Sequence, residues 1–363
     1  MSVSVTLSRY LGSQFVKNFL FMLFVLLAVI YLFDTVELLR RGAKKDVPID
    51  IVLKMSLFKL PEVGQQILPF SMLFAAILTF WKLNQKHEIV IVRSAGFSPW
   101  QFLGPISLTA LGLGILYLTV INPVSSLLLT KYEVLENRHL GQQKNLVALA
   151  QDGLWLRQTE PYGDIVFHGD KIDLENWEIS GVMAVFFDKD DVFTKRIDAK
   201  AAQLRSGYWY LTDTIINNAG ETTKQEKELV IKTELTSQDI VDSFSDPEIL
   251  SFWEMQNYIS LMESTGFEAT KVRIHFHHLL SQPVMFAAMV LLAAALTLRP
   301  PRNKGTLILI IVAVIAGFGI FFLSNFLRAL GASHQLPVAL AAWSPAIITL
   351  LIGATIVVNT EDG

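Results

Sequence analysis

Six apolar stretches of this sequence are each long enough to cross a lipid bilayer, and they constrain the fold more than any other feature. A helix needs about 20 mostly apolar residues to span the hydrocarbon core. The third stretch continues without a charge until Lys131. The stretches begin and end near residues 15–33, 63–81, 101–120, 279–298, 306–327 and 336–358. The sequence therefore predicts an α-helical membrane protein with six spans.

The first stretch also has features of a cleaved secretory signal peptide. Arg9 and Lys17 precede the apolar run, as basic residues do in such a peptide. However, the run is long, no small-x-small cleavage site ends it, and Asp34 follows directly. We therefore expect a retained helix.

Charged residues concentrate between the third and fourth stretches. From Lys131 to Arg273 there are 15 Lys and Arg against 25 Asp and Glu, a net charge of −10, whereas the rest of the chain carries +7. This distribution predicts a soluble, acidic insert. An acidic surface argues against nucleic acid as its partner.

The insert is predicted to be all-β. Short aromatic and β-branched segments alternate with turn residues and show no helical period. We predict strands at 153–157, 164–168, 182–187, 208–212 and 229–233, and an antiparallel sandwich or jelly-roll fold. A helical segment follows, with Pro247 near its start. The predicted domains are spans one to three in 1–130, a β-jelly-roll with flanking helical segments in 131–270, and spans four to six in 271–363.

Several residues inside the predicted spans are polar or small. Glu62, Gln65 and Gln66 open the second span, and because such groups are costly in lipid we expect them to face protein or a wet cavity. Glycines at close spacing indicate helix packing or flexing. These glycines are Gly112, Gly114, Gly317 and Gly319.

The orientation of the spans is only weakly encoded. An even number of spans places both termini on one side. With the termini inside, short inner segments carry eight Lys and Arg against seven outside. The two inner loops are compact and basic, which favours this orientation and leaves the insert outside.

Motifs for enzymatic chemistry are missing from the sequence. There is no GxxxxGK[ST] phosphate loop, no HExxH, no GxSxG, no kinase signature and no cysteine. His275, His277 and His278 lie close together, and a metal site there is conceivable. A polar turn at the membrane border is the favoured interpretation, because the three side chains of one helix start do not converge and no carboxylate completes the set. We therefore predict no catalytic residue, no metal and no cofactor.

The loop between spans two and three carries the most specific pattern. It reads KLNQKHEIVIVRSAGFS from Lys82. This loop, at residues 82–97, resembles the cytoplasmic coupling helix of the LptF/LptG (YjgP/YjgQ) permeases, which export lipopolysaccharide and carry a Ser-Glu-aliphatic-x-x-Met-x-Ala-x-Gly pattern. Glu88 and Gly96 match that pattern, while His87 replaces the small residue and Val92 replaces Met.

The resemblance extends over the whole chain. Span two contains Pro61-Glu62 and Leu68-Pro69, similar to the family's entry to this span, and the segments 153–155 and 198–209 resemble strands of its β-domain. His275 and Pro283 match the start of its fourth span, with His277 or His278 as candidates for a basic residue that follows there. The β-domain start and the segment 336–345 are most similar to LptG.

The resemblance implies a permease subunit of an ABC transporter that extracts lipopolysaccharide from the bacterial inner membrane. Such a subunit pairs with an LptF-like second permease on an LptB-like cytoplasmic ATPase dimer. It passes the lipid through its periplasmic β-domain to an LptC-like bridge protein. Glu88, with His87, Arg93 and Gly96, is then expected in the ATPase groove, where a carboxylate can pair with arginine. The alternative is a solvated loop charge.

The same resemblance suggests a role for the basic group after span one. Arg40, Arg41, Lys44 and Lys45 are expected to contact the phosphates of the lipid headgroup. The alternative is ordinary anchoring at the membrane interface. Acyl chains are expected in an apolar cavity between the two permeases, lined by spans one, two and five.

Two other classes of function remain open from the residues alone. A tripartite exporter permease usually has four spans with its domain after the first, which does not fit this pattern. A membrane-anchored sensor or scaffold whose β-domain binds envelope proteins is compatible with the composition. Co-purification of an ATPase distinguishes these classes.

Overall fold

Long helices and one sheet make up the part of the chain that the structure describes. The computed structural model describes residues 5–140, 146–150, 153–160, 163–173, 177–188, 192–205, 207–218, 222–233, 247–264, 267–297 and 306–361. The basic loop with Arg299, Arg302 and Lys304 lies outside these residues. The helices are α1 (Val5–Gly42), α2 (Ile49–Gln85), α3 (Glu88–Ser94), α4 (Pro99–Leu116), α5 (Asn122–Leu140), α6 (Phe252–Ser264), α7 (Thr270–Thr297), α8 (Thr306–Ala332) and α9 (Val338–Glu361).

The six predicted spans are confirmed. Within the described residues, six helical stretches are long and apolar enough to cross a membrane. They are longer than the apolar runs that predict them, because α1 and α2 contain 38 and 37 residues. The extra turns lie at the helix ends and carry polar side chains.

The third span is one continuous helical rod with an irregular segment in it. Ser98 and Gln101 form a capping box at the start of α4, and Pro99 occupies the first helical position. Residues Tyr117–Ile121 form a π-helical turn between α4 and α5. Such turns insert an extra residue into a helix and are frequent at functional sites.

Helix α7 is the most buried of the spans and forms the centre of the membrane part. A Cβ added at Gly114 of α4 would lie 2.4 Å from the Cα of Pro283 in α7, so the two backbones touch. A Cβ at Gly353 of α9 would lie 2.9 Å from the backbone nitrogen of Leu292. Small residues therefore let these helices approach closely, as in other membrane bundles.

The four glycines singled out in the spans divide into two kinds. Gly114 and Gly317 pack closely, since a Cβ at Gly317 would lie 3.0 Å from the ring of Phe70. Gly112 and Gly319 have no heavy atom within 4 Å of an added Cβ. The packing interpretation therefore holds for the first two only.

The inserted part is an antiparallel sheet, as predicted. The eight described strands are β1 (Leu146–Ala150), β2 (Gly153–Glu160), β3 (Gly163–Gly169), β4 (Lys171–Asp173), β5 (Glu178–Phe187), β6 (Phe193–Arg205), β7 (Tyr208–Asn218) and β8 (Lys224–Lys232). Their order is β1-β2-β3-β5-β6-β7-β8, with β4 paired to β5. The strand order, which the sequence left open, is therefore a meander. Strands β1, β4 and β6 lie outside the five strand segments named from the sequence, and residues 198–205 of β6 lie within the segment that resembles strands of the family.

Alternation along the strands places one face of the sheet in the core. Buried and half-buried residues alternate along β3. Phe167 of β3 and Trp209 of β7 are buried, with ring centroids 5.4 Å apart. Aromatic pairs of this kind stabilise a sheet core beyond the area they bury.

The chain divides into two compact units. The first comprises Met1–Leu140, Ser251–Trp253 and Arg273–Gly363, and the second comprises Gly141–Leu250 and Glu254–Val272. Helix α5 continues to Leu140, so the first unit extends about ten residues beyond the division at residue 130 expected from the sequence.

Candidate functional site

The loop between spans two and three folds into a short helix set off from α2 by a sharp turn. Helix α2 ends at Gln85, and α3 begins at Glu88. His87, between them, has a φ of 59°, in the left-handed region that breaks a continuing helix. The turn changes the direction of the chain, so that α3 is a separate helix and not a continuation of α2.

The end of α3 is formed by a Schellman motif. The Gly96 N–H donates to the Arg93 carbonyl at 3.0 Å, and the Phe97 N–H donates to the Val92 carbonyl at 3.3 Å. Gly96 has a φ of 84°, which a residue without a Cβ adopts at no steric cost. The glycine that matches the family pattern therefore has a local structural reason.

Helix α3 is only partly covered by its own chain: Glu88, Ile89 and Val92 are half-buried, and the other residues are exposed. None of its residues is buried. Val90 and Ile91 are 57% and 63% exposed. Adjacent exposed aliphatic residues beside a carboxylate and an arginine form a small amphipathic surface, of the kind that marks a protein contact.

Glu88 is held by two light contacts. The Tyr10 hydroxyl of α1 donates to Glu88 Oε1 at 3.2 Å, and the Lys86 ammonium lies 4.0 Å from the same oxygen. Arg93 and His87 are exposed. The partner Tyr10 lies 78 positions away in the sequence, and the loop pattern contains no signal that would have identified it.

A buried polar network connects α1 to the last two turns of α2, directly before the loop that leads to α3. Asn18 Nδ2 donates to Thr79 Oγ1 at 2.8 Å, and the Lys82 ammonium donates to Asn18 Oδ1 at 2.8 Å. Asn18 and Thr79 are buried. The end of α2 that leads into α3 is therefore fixed to α1 by satisfied hydrogen bonds, which are costly to leave unmade inside a membrane.

The predicted basic group lies at the far end of α1, and the structure brings its four residues together on that end. Arg40 pairs with Glu37 on its own helix at 2.8 Å. Arg41 reaches Glu136 of α5 at 2.5 Å, and Lys45 donates to the Leu140 carbonyl. Lys44 is exposed.

These four basic side chains therefore differ in their exposure and in the contacts that they already make within the chain. The Arg40 side chain is 69% exposed and the Arg41 side chain 32%. Arg41 and Lys45 hold α1 and its following turn against α5, whereas Arg40 and Lys44 face outward. Only the second pair can meet a ligand without breaking a contact between helices.

Of the polar residues that open span two, Gln65 faces protein, as expected. Gln65 is bonded to residues of the third span, described below. Gln66 is exposed and donates to Glu62 Oε1 at 3.0 Å, one turn away on the same helix. The ion pair between Lys59 and Asp34, at 3.1 Å, adds a further link between α1 and α2.

The histidines at the start of α7 lie inside the first unit. His278 Nε2 lies 2.8 Å from the Gln282 side-chain nitrogen one turn later. Among the described residues, no group of three or more His, Asp or Glu side chains is placed to hold a metal ion.

Comparison with known proteins identifies relatives along almost the full length. The family model described as lipopolysaccharide export system permease LptF/LptG matches residues 9–358. LptG of Escherichia coli K12 is 22% identical over 356 residues, which cover 95% of this chain and 96% of that protein. LptG of Haemophilus influenzae is 22% identical over 353 residues, covering 96% of each chain. LptF of E. coli K12 is 32% identical over 90 residues, a quarter of each chain.

Proposed function

The chain belongs to the family of lipopolysaccharide export system permeases LptF/LptG, and from this premise we propose that it moves lipopolysaccharide as one half of a membrane channel, driven by a separate ATPase that docks on α3. The chain is a multi-pass membrane protein with six spans and an inserted sheet domain. We propose that it resides in the bacterial inner membrane, with α3 in the cytoplasm and the sheet domain in the periplasm.

The observation that carries the proposal is the surface of α3. A seven-residue helix in which no side chain is fully buried gains little stability from packing within its own chain. Exposed Val90 and Ile91 supply apolar area for a partner, and Glu88 and Arg93 supply charge. Such a helix is suited to fit into a groove of another protein.

Glu88 has the geometry of a residue that changes partners. Its carboxylate is held by a neutral hydroxyl and a distant ammonium, both weak contacts in an exposed setting. An arginine of an ATPase groove offers a bidentate, charge-assisted contact in their place. Docking then replaces the intramolecular contact with Tyr10 by a stronger one.

The attachment of the end of α2 to α1, directly before the turn into α3, suggests how force is transmitted. Lys82, three residues before the end of α2, is bonded to Asn18 of α1. A push on α3 by closure of an LptB-like ATPase dimer therefore moves α1 and α2 together. Movement of these helices against an LptF-like second permease reduces the cavity between them and expels the lipid toward the sheet domain and an LptC-like bridge.

Arg40 and Lys44 are the proposed contacts to the lipid phosphates. They lie beyond the apolar part of α1 and are more exposed than Arg41, which is bonded to Glu136. Arginine binds phosphate through two parallel N–H groups, and lysine adds a mobile charge. Of the four basic residues predicted to bind phosphate, we therefore propose Arg40 and Lys44 as direct contacts. Arg41 and Lys45 instead hold the end of α1 against α5.

The full-length alignments suggest the LptG side of the family. Both LptG relatives align over nearly the whole chain, whereas the LptF relative aligns over a quarter of it. We therefore propose that this chain takes the LptG place in a heterodimer, with an LptF-like protein as its partner.

The decisive experiment isolates the chain from detergent-solubilised membranes and identifies what co-purifies. We expect an ATPase and a second permease, with ATP hydrolysis that responds to added lipopolysaccharide. The variant Glu88→Ala should keep folded yield and lose about tenfold in transport, the loss typical of one strong charged contact. The control Gln85→Ala, at an exposed position on α2, should behave as wild type.

The opposite results would favour a different function. A chain that purifies alone, without an ATPase, is the result expected of a sensor or scaffold whose sheet domain binds envelope proteins. Wild-type transport by Glu88→Ala would make that residue an ordinary solvated carboxylate.

A further inference from the structure

A polar cluster where the second and third spans meet has no role in the mechanism above. Gln65 of α2 is at its centre. Its Nε2 donates to the Ser125 hydroxyl at 2.6 Å, and its Oε1 accepts from the Tyr117 hydroxyl at 2.6 Å and from Asn122 Nδ2 at 3.2 Å. One side chain of the second span therefore binds three residues of the third.

The partners of Gln65 surround the irregular turn of the third span. Tyr117 begins the π-helical turn, and Asn122 follows it directly, with its backbone N–H bonded to the Tyr117 carbonyl five residues back. Tyr117, Asn122 and Ser125 are all buried. The wide turn thus places Tyr117, Asn122 and Ser125 where one amide can bond all three.

The cluster continues to the start of α6. The Asn122 amide that donates to Gln65 also accepts, through Oδ1, from the Phe252 backbone N–H at 2.8 Å. The first N–H groups of a helix have no partner within the helix, so Asn122 caps α6 from another part of the chain. The Trp253 indole N–H adds a second bond, to the Thr119 carbonyl of the π-turn, at 3.3 Å.

The position of Gln65 along α2 gives the cluster its significance. Gln65 and Gln85 lie on the same 37-residue helix, about 30 Å apart at the α-helical rise. That distance matches the thickness of the hydrocarbon core. The helix that ends at the ATPase-docking segment therefore carries, one bilayer thickness away, the side chain that organises the start of α6.

We propose that Gln65 is a positioning residue that joins movement of α2 to Phe252 and Trp253, the first residues of α6, which belong to the same compact unit as α2. The hydrogen bonds run from Gln65 through Asn122 to Phe252, without a gap. When α3 is pushed, α2 carries Gln65 with it, and the bonded π-turn and the first turn of α6 follow. This inference rests on the proposed function for its effect on transport, but the anchoring of α6 stands independently of it.

The test compares two neighbouring glutamines in the assembled transporter. Gln65→Leu removes all three bonds at nearly constant volume, whereas Gln66→Leu, the matched control, removes only a bond within α2. Gln65→Glu is the conservative variant, because its carboxylate can accept from the Tyr117 hydroxyl, the Asn122 amide and the Ser125 hydroxyl.

We expect Gln65→Leu to assemble normally and to hydrolyse ATP within about twofold of wild type, while lipid transfer falls about tenfold. Gln65→Glu should recover transfer to within about threefold of wild type, and Gln66→Leu should change neither rate. Wild-type transfer by Gln65→Leu would overturn the inference. An equal fall in hydrolysis and transfer that Gln65→Glu does not restore would also overturn it, because that pattern indicates general damage.

A second readout separates this inference from the proposed function. The chain contains no cysteine, so a nitroxide can be placed on Gln256→Cys alone, in the first turns of α6. The nitroxide should become more mobile in the Gln65→Leu background and remain unchanged in the Gln66→Leu background. If the wild-type chain transports no lipid, the proposed function fails, and the mobility of the nitroxide still decides the anchoring. Unchanged mobility in Gln65→Leu would refute it.

Discussion

Two regions of the membrane unit differ in how much of their side-chain surface is buried. Around α7 the helices approach until their backbones touch, as Gly114 does against Pro283. Helix α3 buries none of its residues and leaves Ile91 63% exposed. The first region contributes mainly to stability, since most of its surface is already buried. The second contributes little to stability and is free to serve a partner.

This comparison gives a way to separate the effects of substitutions. Changes around α7 should alter the free energy of unfolding, and function only as a consequence. Changes on α3 should alter partner binding at constant stability. The experiments below test that separation, beginning with the largest expected effect.

The variant Gly114→Ala should be the most damaging. Its new Cβ would lie 2.4 Å from the Cα of Pro283, a distance that requires a backbone shift. We expect a loss of about 3 kcal/mol or more in unfolding free energy, at the upper end for overpacked interiors. Unfolding of the purified protein by SDS in mixed micelles measures this loss.

The control is the neighbouring glycine on the same helix. Gly112 has no heavy atom within 4 Å of an added Cβ, so Gly112→Ala should be neutral or slightly stabilising. Equal losses for the two variants would mean that Gly114 matters through helix flexibility and not through its contact with Pro283.

A charge on the exposed face of α3 should have the next largest effect. We expect Ile91→Asp to leave the unfolding free energy within about 0.5 kcal/mol of wild type, since the side chain packs against little of its own chain. Retention of the ATPase during purification should fall about tenfold, because a charge would be buried in an apolar contact.

Ile91→Val serves as the matched control for this variant, because it keeps an aliphatic side chain at the same position. It should retain the ATPase nearly as well as wild type. A drop in stability for Ile91→Asp, with ATPase binding unchanged, would place α3 among the internally packed elements and remove the contrast on which the comparison rests.

The two arginines at the end of α1 extend the comparison to a single pair of residues. Arg41→Ala breaks a partly buried bond between α1 and α5 and leaves Glu136 without it. We expect a loss of about 1 kcal/mol in unfolding free energy. Arg40→Ala, which breaks a mostly exposed pair within one helix, should cost less than about 0.5 kcal/mol.

Arg40→Ala, which should cost less stability than Arg41→Ala, should have the larger effect on lipid binding. Binding of lipopolysaccharide to the purified transporter should weaken by about threefold to tenfold in Arg40→Ala, a typical loss for one charged hydrogen bond. It should weaken less in Arg41→Ala. A larger binding defect in Arg41→Ala would show that this residue leaves Glu136 to meet the phosphate.

Much of this contrast could be predicted from the sequence, and the reasons are local. The six spans follow from apolar length alone, and a short pattern in the loop after span two indicated a coupling helix there. The cost of Gln65 in lipid likewise indicated that it faces protein or a wet cavity. The contacts themselves could not be predicted, because Tyr10 and Glu88, or Asn122 and Phe252, are 78 and 130 positions apart. Strand β6 was indicated by the resemblance of residues 198–209 to the family's strands, and not by residue type, because Lys, Ala and Gln dominate its sequence after Ile197.

The basic group shows the limit of reading charge from sequence. Arg40, Arg41, Lys44 and Lys45 form one cluster in the sequence, but the helical period turns successive residues to different sides. Arg41 consequently meets Glu136, while Arg40 remains on the exposed side. A sequence pattern can locate such a cluster at a helix end, but the tertiary fold decides which of its members are available to a ligand.

The smallest expected effect concerns Gly96, where α3 is stabilised by its own ends and not by packing. An Ala at this position meets no atom within 4 Å, so the only cost of Gly96→Ala is its φ of 84°. That cost is about 1 kcal/mol. The strain weakens the two hydrogen bonds that end α3, which the Gly96 and Phe97 N–H groups donate. Hydrogen exchange of the Phe97 amide should therefore accelerate about fivefold, while the free energy of global unfolding stays unchanged.

Gly104→Ala, inside α4 and equally free of contacts, should leave exchange of the Phe97 amide unaltered. A global loss of stability in Gly96→Ala would mean that α3 is coupled to the packed helices before any partner binds, and the two regions would then be one.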